Sequence, residues 1–189
     1  MAIENEIKIV LQGKEKYDEL ETLLSSIYGW EDINQAYFDS NNRIRKSSFK
    51  NGREEHVFAF KQRLPNGRTV EIESNISESE FDDLWEFTSE RLSKRRCSVF
   101  CKKEDRKTEE WLNVHRWDID FPRWPSGNKY FAIAEVEMLS DMERPNHILS
   151  VLKPYVVHEV PRNDNRFSAK KLSDEKHARK LAKELKLWD

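Results

Sequence analysis

Polar and apolar residues alternate along much of this chain. In residues 3–10, Glu4, Glu6 and Lys8 are interleaved with Asn5, Ile7 and Ile9. A period of two in a stretch rich in β-branched residues predicts a strand, with Glu4, Glu6 and Lys8 on one face. The same period predicts strands at 31–39, 43–49, 54–63, 68–76, 92–102, 111–121 and 129–138, with a short one at 156–160. Asn51-Gly52 and Pro65-Asn66-Gly67 supply the turn chemistry for hairpins. The period changes to helical in three places. Tyr17, Leu20, Leu24 and Ile27 mark a helix over 14–28 that ends near Gly29. Ser77 and Glu80 have capping-box spacing and open a helix carrying Phe81, Leu84, Trp85 and Thr88 on one side. From Ser173 to the end, His177, Leu181 and Leu185 form a stripe among Lys and Arg, predicting a helix over about 173–187. Pro145 predicts a short helix carrying Ile148, Val151 and Leu152, and the prolines and glycine of 122–127 predict a loop.

Most consecutive strands are separated only by tight turns, so the class is α+β with a mainly antiparallel sheet. About eight strands are enough to close into a barrel. With 189 residues and no linker or repeat, residues 1–189 are expected to form one domain.

Composition narrows the partners. The net charge is −2 with 36% charged residues, a balance that argues against a duplex nucleic-acid coat or a basic membrane-surface protein. No apolar run reaches 18 residues and the N-terminus has no basic-then-apolar signal pattern, so a cytoplasmic protein is expected. Cys97 and Cys101 lie on one strand face about 13 Å apart, too far to bridge, and are expected to be reduced. The five histidines are scattered without paired metal spacing and read as surface or packing residues. Trp111, Trp117, Trp124 and Trp188 read as packing residues rather than platforms for a base.

The charged face of each strand carries the chemistry. It shows Arg43 and Arg45, then Lys61, Glu71 and Glu73, Lys94 and Arg96, Asp118 and Asp120, and Glu135 and Glu137. The opposite faces carry Ile7 and Ile9, Phe58 and Phe60, Ile119 and Phe121, and Ala134 and Val136, although Ile133 breaks the pattern by sharing the face of Glu135. An open sheet with salt-bridge ladders would accommodate mixed charge. Repeated like pairs make poor ladders, because two carboxylates about 6.6 Å apart repel by roughly 2–3 kcal/mol at an effective dielectric near 20. A closed barrel with a charged, water-rich lumen accounts for them better. Cations would grip phosphate oxygens there, and carboxylates would hold a hard divalent metal.

Glu4-x-Glu6-x-Lys8 resembles the ExExK signature of the CYTH domains, or triphosphate tunnel metalloenzymes. Arg43-Ile44-Arg45, Phe60-Lys61, Glu71-Ile72-Glu73, Lys94-Arg95-Arg96, Asp118-Ile119-Asp120 and Glu135-Val136-Glu137 follow in the family's order. Glu159-Val160 and the segment from Arg166 to Lys170 resemble its C-terminal part, so the likeness spans residues 3–172. Phe167, Ser168 and Ala169 depart from the family's usual aromatic, basic residue and Asn, which leaves the last basic contact open between Arg166, Lys170 and Lys171.

The resemblance implies an eight-stranded antiparallel β-tunnel with helices packed outside, hydrolysing triphosphate with Mg2+ or Mn2+, two ions in the usual scheme. It implies that Lys8, Arg43, Arg45, Lys61, Lys94, Arg96, Arg166 and Lys170 bind phosphate. Glu4, Glu6, Asp118, Asp120, Glu135 and Glu137 would bind metal. Glu71, Glu73 and Lys94 would serve catalysis by orienting the basic residues or water. The substrate would be inorganic triphosphate or a small organic or nucleoside triphosphate, with an RNA 5′-triphosphate also open, and the protein a monomer or homodimer. A class IV-type adenylyl cyclase is an alternative, although only Met1-Ala2-Ile3 stands where such cyclases carry a His-Phe pair. A non-catalytic triphosphate- or polyphosphate-binding module is another, which the many carboxylates disfavour.

Overall fold

The structure is a computed structural model, and it describes residues 6–13, 15–39, 41–63, 69–105, 110–124, 127, 129–137, 148–161 and 164–187. Glu4 lies outside the described residues, as does the start of the helix expected at Pro145. Nine strands form: β1 Glu6–Gly13, β2 Glu31–Tyr37, β3 Asn42–Phe49, β4 Glu54–Arg63, β5 Thr69–Asn75, β6 Glu90–Asp105, β7 Glu110–Arg123, β8 Phe131–Glu137 and β9 Val156–Val160. The helices are α1 Glu15–Tyr28, α2 Glu78–Glu86, α3 Ala169–Leu172 and α4 Glu175–Glu184. None is long and apolar enough to cross a membrane among the described residues.

All nine strands join one sheet in the order β5-β4-β3-β2-β6-β7-β8-β1-β9, with every ladder antiparallel. This corrects the expected closed eight-stranded barrel. There are nine strands, and β5 and β9 are edges not joined to each other by backbone pairing among the described residues. The N-terminal strand sits between β8 and β9, a long-range insertion for which a local pattern gives no sign.

The sheet is curled all the same. Four inter-strand steps separate β2 from β1, about 19 Å if flat. Yet the phenol of Tyr37 on β2 lies within electrostatic reach of Lys8 on β1 and Glu135 on β8.

Helices α1 and α2 cover the convex face. Tyr17, Leu20 and Leu24 of α1 pack on Ile9, Leu11, Cys97, Ile119, Phe121 and Ala134. Phe81 of α2 packs on Ala36 and Ile44. The capping box forms as expected: Ser77 accepts from the Glu80 amide and the Glu80 carboxylate accepts from the Ser77 amide. Cys97 is a buried free thiol, and Trp117 and Trp124 are core residues.

The C-terminal helix docks on the opposite, concave face. Ala178, Leu181 and Ala182 of α4 join Phe167 and Leu172 against Val10, Leu92, Phe131 and Ile133. The apolar Ile133 in an otherwise charged row is thereby explained, because it marks where the charged zone ends and the helical plug begins.

Two local expectations change. Pro122 lies inside β7, opposite Lys94, instead of in a loop. It falls just past Asp120, the last residue of β7 in register with β8, where a missing amide disturbs little. Residues 150–152 form a turn leading into a 3-10 helix at Lys153–Tyr155, in place of a short α-helix.

Candidate functional site

Cross-strand partners share a face, so the register can be read straight across the sheet. Starting at β1, Glu6 pairs with Glu137 and Lys8 with Glu135. Glu135 pairs with Asp118, Asp118 with Ser98, and Asp120 with Arg96. Arg96 pairs with Glu31, Gln35 with Arg45, and Tyr37 with Arg43. Arg43 pairs with Ala59, Ala59 with Glu73, and Lys61 with Glu71. Thus Glu6, Lys8, Arg43, Arg45, Lys61, Glu71, Glu73, Lys94, Arg96, Asp118, Asp120 and Glu135 all belong to the concave face, and Glu137 stands in register beside Glu6.

The like-charged pairs are interleaved with opposite charge, which answers the expected repulsion. The Lys8 ammonium lies 2.9 Å from Glu6 and 2.7 Å from Glu135. Arg96 donates to Asp118 at 3.1 Å and to both oxygens of Asp120, at 2.6 and 2.8 Å. Asp118 also accepts from Ser98 at 2.7 Å and Arg116 at 2.8 Å. Arg43 donates to Glu71 at 3.0 Å and Glu73 at 3.2 Å, and Arg45 lies 3.7 Å from Glu73. The residues expected to hold metal are therefore paired here with those expected to hold phosphate.

This face is not an ordinary wet ladder. Lys94 and Asp120 are each buried to 7% side-chain exposure and meet at 2.5 Å. Burial works against the Asp120 carboxylate, but Arg96 and Lys94 outweigh it and hold its pKa well below the usual carboxylate range. Burial, followed by Arg96, depresses Lys94, with Asp120 opposing. Burial likewise opposes the charge on Lys8, and Glu135 and Glu6 more than restore it, raising its pKa. Glu135 is shifted down against burial by Lys8. Tyr37, buried beside these groups and accepting a hydrogen bond from Gln35 at 2.7 Å, is pushed up to about 12 by burial.

On this face two guanidinium N–H groups lack hydrogen-bond partners among the described residues. Nε of Arg43 and Nε of Arg45 are both buried with no hydrogen-bond partner among the described residues. Buried orphan donors on a cationic surface suit an anion.

At the plugged end, a recess is lined by Lys94, Asp120, Glu135, Leu92, Phe167 and Leu172. Of the three candidates for the last basic contact, Lys170 reaches toward the sheet, 3.3 Å from Glu90 of β6. Arg166 does not join the charged face. Its neighbour Phe167 is buried in the plug, and Arg166 turns out to Asp164 at 2.7 Å and Glu184 at 3.2 Å.

One group escaped the sequence reading. Glu54, His56 and Glu78 bring a donor atom each within 4.8 Å of one another and could hold a metal ion. Glu54 and His56 pair with Ser48 and Lys46, so they lie on the convex side of the sheet, away from the expected metal ligands. It is the one such three-residue group among the described residues. The i, i+2 spacing of Glu54 and His56 was a usable signal, but the approach of Glu78 from α2 was not legible locally.

Comparison with known proteins adds a fold and no activity. No protein-family model matches the chain, and no curated protein is significantly similar to it. Among solved structures, it is similar to the hypothetical protein NE1496, with a TM-score of 0.52 and 19% identity over 90% of this chain and 96% of that one. The PH1819 protein from Pyrococcus horikoshii OT3 aligns with a TM-score of 0.44 and 15% identity, over 96% and 90% of the two chains. A conserved hypothetical protein from Pyrococcus furiosus aligns with a TM-score of 0.42 and 14% identity, over 98% and 93%. The first of these supports the overall fold.

Proposed function

We propose that this protein is a metal-dependent triphosphatase of the CYTH type, working on inorganic triphosphate or a small organic triphosphate along the concave face of its curled sheet. The observation that carries the proposal is the register. Residues from seven strands, picked out by an ordered set of motifs resembling that family, fall on one partly buried face, and two of its arginines keep a buried N–H without a hydrogen-bond partner among the described residues. The curl of the sheet, with α3 and α4 plugging one end, would act as the tunnel.

The side chains fit the roles. Arg43 and Arg45 would take phosphate oxygens in adjacent forks, with Lys61, Lys94, Arg96 and Lys8 neutralising the rest. Glu71 and Glu73 hold Arg43 and Arg45 from β5, which makes them positioning residues. Glu6, Asp118, Asp120, Glu135 and Glu137, with Glu4, would hold Mg2+ or Mn2+. The donor set is all oxygen, as these hard ions require. Its described carboxylates are spread along the face and already neutralised by Lys8, Lys94 and Arg96. That suits an ion arriving with its phosphates, since Mg2+ is usually held by one or two carboxylates plus substrate oxygens. When bound, the ion supplies charge neutralisation and a more acidic water. Binding is then an exchange of partners: phosphate replaces carboxylate at the arginines and lysines, and the released carboxylates face the ion.

The test is a product screen with inorganic triphosphate, ATP, thiamine triphosphate and a 5′-triphosphate RNA, each with Mg2+ and with Mn2+. Release of phosphate from at least one, lost in EDTA, is the expected result. A cyclic nucleotide from ATP would favour a cyclase instead. Binding of triphosphate without turnover would reduce the protein to a binding module.

A further inference from the structure

We propose that Glu54, His56 and Glu78 form a second, exterior cation site for a borderline transition metal such as zinc, in exchange with the ammonium of Lys46. It stands independently of the triphosphate reading. Glu54 and His56 project from β4 on the convex side, and Glu78 opens α2, so the three donors come from two elements and lie within 4.8 Å of one another. Tetrahedral zinc with bonds of about 2.1 Å needs donors about 3.4 Å apart, a closure that side-chain rotation can supply. One imidazole and two carboxylates suit zinc, or a neighbouring divalent transition metal, better than magnesium.

Two observations beyond the cluster point the same way. Nε2 of His56 is buried and has no hydrogen-bond partner among the described residues, while its ring is packed 5.3 Å from Phe81. A ring nitrogen in that state can take a metal ion or a water as its partner. The two carboxylates have already collected a cation, because Lys46 lies 3.0 Å from Glu54 and 3.5 Å from Glu78. Lys46 pairs with His56 across the ladder, so the ammonium stands over the donors. Lys46 thus supplies the positive charge that the two carboxylates take up here, and a metal ion would compete with it for them. Metal binding would tie the start of α2 to β4, replacing one bridging ammonium with bonds to both elements.

The experiment titrates zinc alone into the full chain against a chromophoric zinc chelator, and follows thermal melting with and without zinc. Wild type should bind one zinc ion here and melt higher with it. His56→Ala and Glu78→Gln should each weaken binding by about tenfold or more. Lys46→Met should bind zinc more tightly than wild type, because the competing charge is gone. Glu6→Gln should leave this affinity unchanged, which separates the site from the concave face. Glu78→Gln, at an exposed helix start, keeps the test open if His56→Ala fails to fold. No zinc binding by wild type, wild-type affinity in Glu78→Gln, or a Lys46→Met chain that binds no tighter than wild type would overturn the site.

Discussion

The guanidinium of Arg43 on β3 reaches the carboxylate of Glu73 on β5, 3.2 Å away, across the whole of the intervening strand. The bridge is possible because Ala59, which pairs with both residues, is small and leaves the surface of β4 clear beneath it. Ala59 is only 1% exposed, covered by the side chains that cross it.

Ala59→Leu should therefore lift Arg43 off Glu73. Overpacking at such a site costs about 1–3 kcal/mol. We expect a lower urea midpoint together with weaker triphosphate binding by calorimetry. Unchanged triphosphate affinity in a folded variant would show that the arginine does not need this support.

Asp120→Asn tests the buried ion cluster. It would leave Arg96 and Lys94 buried without their counter-charge, a loss on the order of 3–5 kcal/mol near neutral pH. The sign with pH follows from the depressed pKa of Asp120. Its folded value lies below the unfolded one, near 3.9, so its contribution is fully present above about pH 4 and is lost as pH falls through the folded value. The stability gap between wild type and variant, measured by urea melts from pH 7 down to pH 2, should narrow at the acid end. A gap that is constant across that range would contradict the assignment.

Much of this was written locally in the chain. The period-two charges of β1, β3, β5, β6, β7 and β8 announce one charged face, and the register keeps them together. Ser77 and Glu80 announce the start of α2 because a capping box is a local structure. What was not legible depends on distant pairing. Nothing near Glu6–Gly13 says that this strand enters between β8 and β9, or that β5 and β9 are the sheet's edges among the described residues. Like-charged pairs looked repulsive along each strand, but the neighbouring strands supply the compensation, as Lys8 does for Glu6 and Glu135. The family resemblance groups Arg166 with the phosphate-binding residues, but Phe167 beside it is buried in the plug and Arg166 pairs with Asp164 instead.

The plug formed by α4 should be integral to the domain. Leu181 is 2% exposed among Phe167, Leu172 and Ile133. Leu181→Ala should cost about 2–5 kcal/mol, read as a lower urea midpoint. A change within about 0.5 kcal/mol would mean that the helix is only loosely associated.

Glu6→Gln should fold normally, since it removes one of the two carboxylates on Lys8 and leaves Glu135 in place. If Glu6 serves a divalent cation, the Mg2+ or Mn2+ concentration for half-maximal phosphate release should rise by about tenfold, because the neutral amide is a poor ligand for a hard ion. A wild-type metal profile would remove Glu6 from that role.

The central claim is that the concave face is built to bind and cleave a triphosphate, and Arg45 is its most economical probe. Its Nε is buried without a hydrogen-bond partner among the described residues, and a phosphate oxygen would supply one. The measurement is steady-state phosphate release from inorganic triphosphate, with Mg2+ or Mn2+, by wild type and by Arg45→Ala. The account predicts metal-dependent turnover by wild type, and a fall in kcat/KM of about 10- to 100-fold in the variant, carried mainly by KM. Equal kinetics in a folded Arg45→Ala protein, or no turnover of triphosphate by wild type with either metal, would contradict it.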